Sequence, residues 1–236
     1  MTIDAVSGMR RIALGQLSIN IPKAFVLPFD ATHATTNFDH YRIACPLSVR
    51  RSLPKRQAEY LAGRRVAIAA LQEQGSGVLD LAIGQERAPA WPPGYTGSIS
   101  HTDGIAAAVA MRTHRVRGVG LDIERVATPV ALEAILATAI DATELEPLTT
   151  IAKRLGWPFA LTVAFSAKES FYKATAATVG RFFDFNVLRI VDCASGSNEI
   201  KVEVAEPLAP NIPTGMRFTL SYVQMDEHTL LTSCAW

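Results

Sequence analysis

Apolar positions change their period several times along the chain, and each change marks an element. After Pro54 the spacing is helical, with Leu61, Ile68 and Leu71 and the alanines between them on one side. Ser52-Leu53-Pro54 reads as cap and first turn, and Gly75 and Gly77 stop the helix after about Gln74. The runs Ile105–Met111 and Val116–Ile123 read as two strands joined around Thr113-His114. Thr128-Pro129 opens a helix holding Leu132, Ile135, Leu136 and Ile140, and another is expected from about Leu161 to Ala176. The period then falls to two. Ile200, Val202 and Val204 alternate with charged residues, and Phe218, Leu220 and Tyr222 with polar ones. The first forty residues, with Pro22, Pro28 and a polar stretch over 31–37, are expected to be irregular. No repeat of solenoid period is present. The pattern is that of an α+β protein in two halves of similar size meeting near residues 112–117, taken as 1–114 and 115–236.

Composition narrows the class. With 236 residues and 49% of them hydrophobic, the chain can bury one large core or two modest ones, which excludes a disordered polymer. The formal net charge of +1 argues against whole-molecule affinity for nucleic acid or an anionic membrane. That average conceals a division: residues 1–65 carry 10 Lys+Arg against 4 Asp+Glu, and the remainder carries 13 against 18. Cys45, Cys193 and Cys234 are odd in number and form no CxxC, so neither a disulfide framework nor a structural zinc site is expected. The first twenty residues lack the apolar segment of a signal peptide, and the run Ile105–Met111 is too short to cross a bilayer. The expectation is a soluble protein of a reducing cytoplasm with no transmembrane segment.

Four constellations hold chemistry, each with an ordinary reading beside the functional one. In Gly118-Val119-Gly120-Leu121-Asp122-Ile123-Glu124, Asp122 and Glu124 are two apart on a strand and share a face. Paired carboxylates suit Mg²⁺, or else mark the exposed end of an amphipathic strand. In Phe165-Ser166-Ala167-Lys168-Glu169-Ser170-Phe171-Tyr172-Lys173, Glu169 and Lys173 are an i,i+4 pair. They read as a surface ion pair, or as a third metal carboxylate and a phosphate contact. Ser98-Ile99-Ser100-His101-Thr102, directly before a strand, offers hydroxyls and an imidazole to an anion, or is a solvated loop. Arg56 and Arg64 lie roughly 80° apart around a helix and can flank one groove, or both face water.

In this order along the chain, Lys55-Arg56…Arg64, Trp91-Pro92…Gly97-Ser98-Ile99-Ser100-His101-Thr102, Gly120-Leu121-Asp122-Ile123-Glu124 and Phe165 to Lys173 together resemble the 4′-phosphopantetheinyl transferases. The match is narrower to the larger, Sfp-type enzymes and, within them, to the enterobactin synthetase component D branch. The resemblance covers residues 55–173. It implies a pseudo-twofold fold of two α/β halves, monomeric, with the active site in the cleft between them. It implies transfer of the 4′-phosphopantetheine arm of coenzyme A to a serine of an apo acyl, peptidyl or aryl carrier protein, releasing adenosine 3′,5′-bisphosphate, in siderophore, nonribosomal peptide or polyketide synthesis. Mg²⁺, with Mn²⁺ as a substitute, would be held by Asp122, Glu124 and Glu169. Glu169 or a metal-held water would be the base, and Lys173 and Lys168 would steady the pyrophosphate. Arg56, Arg64 and His101, with Ser100 assisting and Arg87 at the nucleotide end, would hold the remaining phosphates.

Two positions and one segment depart from the family's commonest pattern. Leu121 replaces Val or Ile beside the metal Asp, and Phe165 stands where Trp is frequent. Ala174-Thr175-Ala176-Ala177-Thr178 replaces an aromatic-Pro or Gly turn, which puts the wall of the pantetheine channel in question; Phe182 and Phe183 line that channel or pack in the core. Two rival functions compete. A Mg²⁺-dependent nuclease or phosphodiesterase would want Glu-x-Lys and a basic groove, whereas here the order is Lys168-Glu169. A non-catalytic carrier-binding module would have no use for three carboxylates.

Overall fold

A computed structural model describes residues 8–15, 19–30, 37–84 and 88–236. Its chain separates into two units, Met1–Ala13 with Pro22–Val119 and Leu14–Ile21 with Gly120–Trp236. The division falls between Val119 and Gly120, a few residues beyond the boundary expected from the sequence. A short N-terminal stretch also belongs with the C-terminal half.

The first unit is a four-stranded antiparallel sheet carrying one long helix. Strands β1 (Arg10–Ile12), β2 (Ala24–Pro28), β3 (Tyr95–Thr102) and β4 (Ile105–Arg112) lie in the order β1-β2-β4-β3. Two single-turn helices, α1 (Phe38–Tyr41) and α2 (Leu47–Arg50), lead into α3 (Pro54–Glu73). Strand β4 is central and buried on both faces, which is why it reads as an unbroken apolar run. Ala106, Ala108 and Ala110 meet Phe25, Leu27, Val66 and Leu71 in the core beneath α3. Small residues bring helix and sheet together: a Cβ on Gly63 would stand 3.0 Å from Ile99.

Strands β1 and β2 correct the expectation of an irregular N-terminus. Pro22 precedes β2 and Pro28 ends it, so neither removes a donor from the middle of the ladder. Helix α3 keeps its expected span, but its N-cap is Leu53, and the Ser52 hydroxyl instead closes the preceding turn on the Val49 carbonyl.

In the second unit, β5 (Val119–Arg125), β6 (Leu188–Cys193), β7 (Glu199–Val204), β8 (Arg217–Asp226) and β9 (Thr229–Ala235) form a sheet in the order β5-β9-β8-β7-β6. Helices α4 (Pro129–Thr138), α5 (Leu145–Leu155) and α6 (Trp157–Val179) accompany it. Helix α6 starts earlier than expected because Gly156 and Pro158 open it. The buried members of β7 and β8 that alternate in the sequence, among them Ile200, Val202 and Leu220, pack with Phe171, Val163 and Ala164 of α6. Strands β4 and β5 are not the expected hairpin. Buried β4 already has a partner along each edge, so the chain leaves it for the other sheet, where β5 lies beside β9.

Candidate active site

A close approach of backbone to backbone sets the acidic centre of the second unit. A Cβ on Gly120 would fall 1.8 Å from the Ser170 carbonyl oxygen and 2.7 Å from the Ala174 nitrogen, so only glycine lets β5 lie this close to α6. Two residues on, the buried Asp122 side chain points the same way. Its Oδ1 accepts from Lys173 Nζ at 2.6 Å and its Oδ2 from the Ser166 hydroxyl at 2.7 Å. Ser166 is tied in turn to Thr232 of β9, whose hydroxyl donates to the Ser166 carbonyl. Strand alternation places Glu124, half-buried, on the same side as Asp122.

Glu169 lies one turn before Lys173 on the same helix face. Burial pushes its carboxyl above the ordinary glutamate range; Lys173 works against that shift, and the Asp122 charge adds to it. Asp122 and Glu169 are thus two carboxylates within electrostatic reach of each other, with an ammonium beside them. Among the described residues no three Asp, Glu, His or Cys side chains gather closely enough to hold a metal ion, so Asp122, Glu124 and Glu169 do not form a ready cage. The donor set still fits Mg²⁺, which characteristically binds one or two carboxylates and completes its shell with waters and substrate phosphates.

Lys168 is corrected by the structure. It points away from Asp122 and is 1% exposed; its Nζ donates to the Ala139 carbonyl at 2.7 Å and to Glu144 Oε2 at 2.8 Å. Burial pulls this ammonium below the usual lysine range, against the raising effect of Glu144. Glu144 also accepts the backbone N–H of Ile190 and of Asp141. The ammonium therefore joins α6 to β6 and the α4–α5 connection, and its donors are directed at protein rather than at a ligand. The sequence reasoning missed Glu144, although Asp141-Ala142-Thr143-Glu144 has capping-box spacing and forms one.

Beside Glu169 lies a cavity of about 130 Å³ lined by Lys168, Glu169, Tyr172, Phe182, Phe183 and Phe185, although the Lys168 ammonium itself is taken by Ala139 and Glu144. Phe182 is 73% exposed at its edge, whereas Phe183 is buried against Phe171 and Tyr172, so Phe183 both lines the cavity and packs the core.

On the first unit, Ser98 to Thr102 are part of β3 itself rather than a loop before a strand. Alternation sends His101 to the α3 side with Ile99, and there Arg56 Nη1 meets His101 Nε2 at 3.0 Å. Glu59, absent from the sequence reading, faces both: its Oε2 is 3.4 Å from Arg56 Nη1 and 3.8 Å from His101 Nδ1. Ser100, buried and next to His101 in the strand, lies on the opposite face, so the two side chains do not act from one side of the sheet. Arg64 is buried, stacks over Tyr60 at 4.5 Å and donates through Nε to the Leu81 carbonyl at 2.7 Å. Burial lowers its pKa from the arginine norm, and Arg56 is near enough to lower it further. Arg87 lies outside the described residues.

Known proteins match both units. Residues 46–111 fit the model of the 4′-phosphopantetheinyl transferase N-terminal domain, and residues 118–221 fit that of the 4′-phosphopantetheinyl transferase superfamily. The chain belongs to this superfamily. Among curated relatives of the transferase superfamily, enterobactin synthase component D of Salmonella typhi is 45% identical over 120 residues, 51% of this chain and 48% of that protein. The Escherichia coli O157:H7 protein of that name is 38% identical over 135 residues, 57% of this chain and 62% of that protein. The 4′-phosphopantetheinyl transferase PptT of Mycobacterium tuberculosis is 32% identical over 139 residues, 58% of this chain and 59% of that protein. The chain thus spans about half the length of the first of these relatives. All three cysteines are free, and burial pushes the Cys193 and Cys234 thiols up to about 12, which leaves them inert. No described helix is long and apolar enough to cross a membrane.

Proposed function

We propose that the chain transfers the 4′-phosphopantetheine arm of coenzyme A to a serine of an apo carrier protein. The carriers are aryl or peptidyl carriers of siderophore synthesis, in keeping with the names of its relatives. The observation that carries this reading is the Asp122–Glu169–Lys173 group held between β5 and α6 in a transferase-family chain. Two carboxylates whose repulsion raises Glu169 suit a dication, and Lys173 already occupies a cation position at Asp122.

Mg²⁺ would be held by Asp122 and Glu169, with Glu124 on the same strand face, and it would supply charge neutralisation at the pyrophosphate. Lys173, on exchanging Asp122 for phosphate, stabilises the charge that develops on the leaving group. Glu169, whose carboxyl is more basic than an exposed glutamate, takes the proton of the carrier serine. The aromatic cavity beside Glu169 receives the pantetheine arm and excludes water from it. Arg56 and His101 take the 3′-phosphate, and Arg64 adds positive charge from beneath. The two similar halves, with coenzyme A in the cleft between them, belong to the same proposal, as do a monomeric state and residence in the cytoplasm.

The test is mass spectrometry of apo carrier domains incubated with the protein, coenzyme A and Mg²⁺. Transfer adds about 340 Da, the mass of the phosphopantetheine arm, to the carrier. No gain on any of several siderophore, polyketide and fatty-acid carriers would overturn the assignment.

A further inference from the structure

The Arg56–His101 contact carries information about protons. A guanidinium has only donors, so the 3.0 Å approach of Arg56 Nη1 to His101 Nε2 is a hydrogen bond only if Nε2 offers its lone pair. The imidazole is then neutral, with its one proton on Nδ1, and Nδ1 is the nitrogen that faces Glu59 Oε2 at 3.8 Å. Glu59 is held in place and largely shielded, its side chain 13% exposed, and the same oxygen lies 3.4 Å from Arg56. Two charged groups of α3 thus face this imidazole, Arg56 and Glu59. The Lys55–Asp103 ion pair stands at the adjoining β3–β4 turn.

A phosphate that arrives here brings acceptors only. Arg56 can turn its N–H from Nε2 to the phosphate at once. His101 Nε2 can offer a proton only by taking one from solvent or by drawing the Nδ1 proton across the ring, and the second course leaves a bare Nδ1 lone pair facing the Glu59 carboxylate. Once it takes one from solvent, both ring nitrogens are donors: Nε2–H meets the phosphate and Nδ1–H meets Glu59. The carboxylate then sits next to a full positive charge, which it favours. Without Glu59, the same proton uptake would put an imidazolium beside Arg56 with one anion fewer to offset the two charges.

We infer that Glu59 is a positioning residue that makes His101 a proton-coupled anchor: the 3′-phosphate of coenzyme A binds with uptake of one solvent proton at His101 Nε2, and Glu59 holds the imidazolium through Nδ1. This rests on the reading of the chain as a coenzyme A-dependent transferase. The complex holds more protons than the free protein, so affinity falls as pH rises through the interval between the free and bound imidazole. Glu59 extends that interval upward.

Isothermal titration calorimetry of coenzyme A into the full chain at pH 7.5, in HEPES and in Tris, counts the protons. An ordinary imidazole is only about one tenth protonated at that pH, so the uptake is expected to approach one proton per coenzyme A. Dephospho-coenzyme A, which lacks the 3′-phosphate, is expected to bind with close to none, and so is coenzyme A to a His101→Gln variant. In Glu59→Gln the fall of affinity with pH is expected to move toward lower pH by about one unit, as one lost neighbouring charge implies. A heat independent of buffer in the parent, equal uptake for the two ligands, or an unmoved pH profile in Glu59→Gln overturns the inference while the transferase reading stands. Failure of coenzyme A to bind the parent at all overturns both.

Discussion

Replacing Lys168 with methionine is the sharpest test of which lysine in the α6 motif serves the ligand. Lys168 and Glu144 are each 1% exposed, and four hydrogen bonds converge on the pair: Lys168 to Ala139 and Glu144, and Ile190 and Asp141 to Glu144. Methionine fills much the same volume but leaves the Glu144 charge buried without its cation. Breaking a buried pair in this way costs about 3–5 kcal/mol, a large share of the 5–15 kcal/mol that holds a typical domain. For a chain of 236 residues this corresponds to a fall in Tm of about 6–20 °C. The exposed Arg217–Glu203 pair is the internal control: Arg217→Met should cost at most about 1 kcal/mol. Adding Glu144→Gln to Lys168→Met should recover part of the loss, because the amide is neutral and its carbonyl still accepts one of the two backbone N–H groups. Urea denaturation followed by circular dichroism measures all four proteins. A Lys168→Met variant within 1 kcal/mol of the parent but with coenzyme A affinity reduced tenfold would refute the reasoning, because the ammonium would then be on the ligand.

Two further substitutions probe the acidic centre. Gly120→Ala puts a methyl where the Ser170 carbonyl already stands, at 1.8 Å, and both neighbours are backbone. The loss should reach or exceed the upper end of the 1–3 kcal/mol typical of overpacking, and a parental urea midpoint would show that β5 and α6 have room to spare. Glu169→Gln should abolish turnover while coenzyme A binding persists in part. It should also raise stability at neutral pH. The folded carboxyl lies above its ordinary value of 4.5, so the folded chain binds that proton more readily than the unfolded one, and ionised Glu169 costs stability above this range. The advantage of Glu169→Gln should shrink as pH falls toward 4, and a gap that stays constant between pH 8 and pH 4 in urea titrations contradicts the burial of this group.

The elements with a clear period were legible in the sequence, and the contacts that decide roles were less so. Helix α3, the Thr128 cap of α4 and the alternation of β7 and β8 follow from spacing alone, because each depends on residues within a turn or two. Strand β2 does not, since its partner β4 lies some eighty residues away and nothing local names it. The same limit applies to Lys168. Spacing places it on α6 at about 100° from Glu169, but whether that direction meets solvent or a buried carboxylate depends on Glu144, twenty-four residues earlier. Ser100 and His101 show the opposite case. Once the segment is a strand, adjacency alone sends them to opposite faces, and reading it as a loop hid this.

The placement of β2 also has a consequence for synthesis. Ala24-Phe25-Val26-Leu27 emerges from the ribosome some eighty residues ahead of β4, the strand against which it is sealed, which begins at Ile105. At about 5–20 residues per second, β2 waits some 4–16 s with an unpaired apolar edge, a hazard for association with other nascent chains. Gly15 waits longer, because it packs against Ser221. These segments are thus made well before the strands they pack against, and chaperone occupancy during translation should concentrate on them.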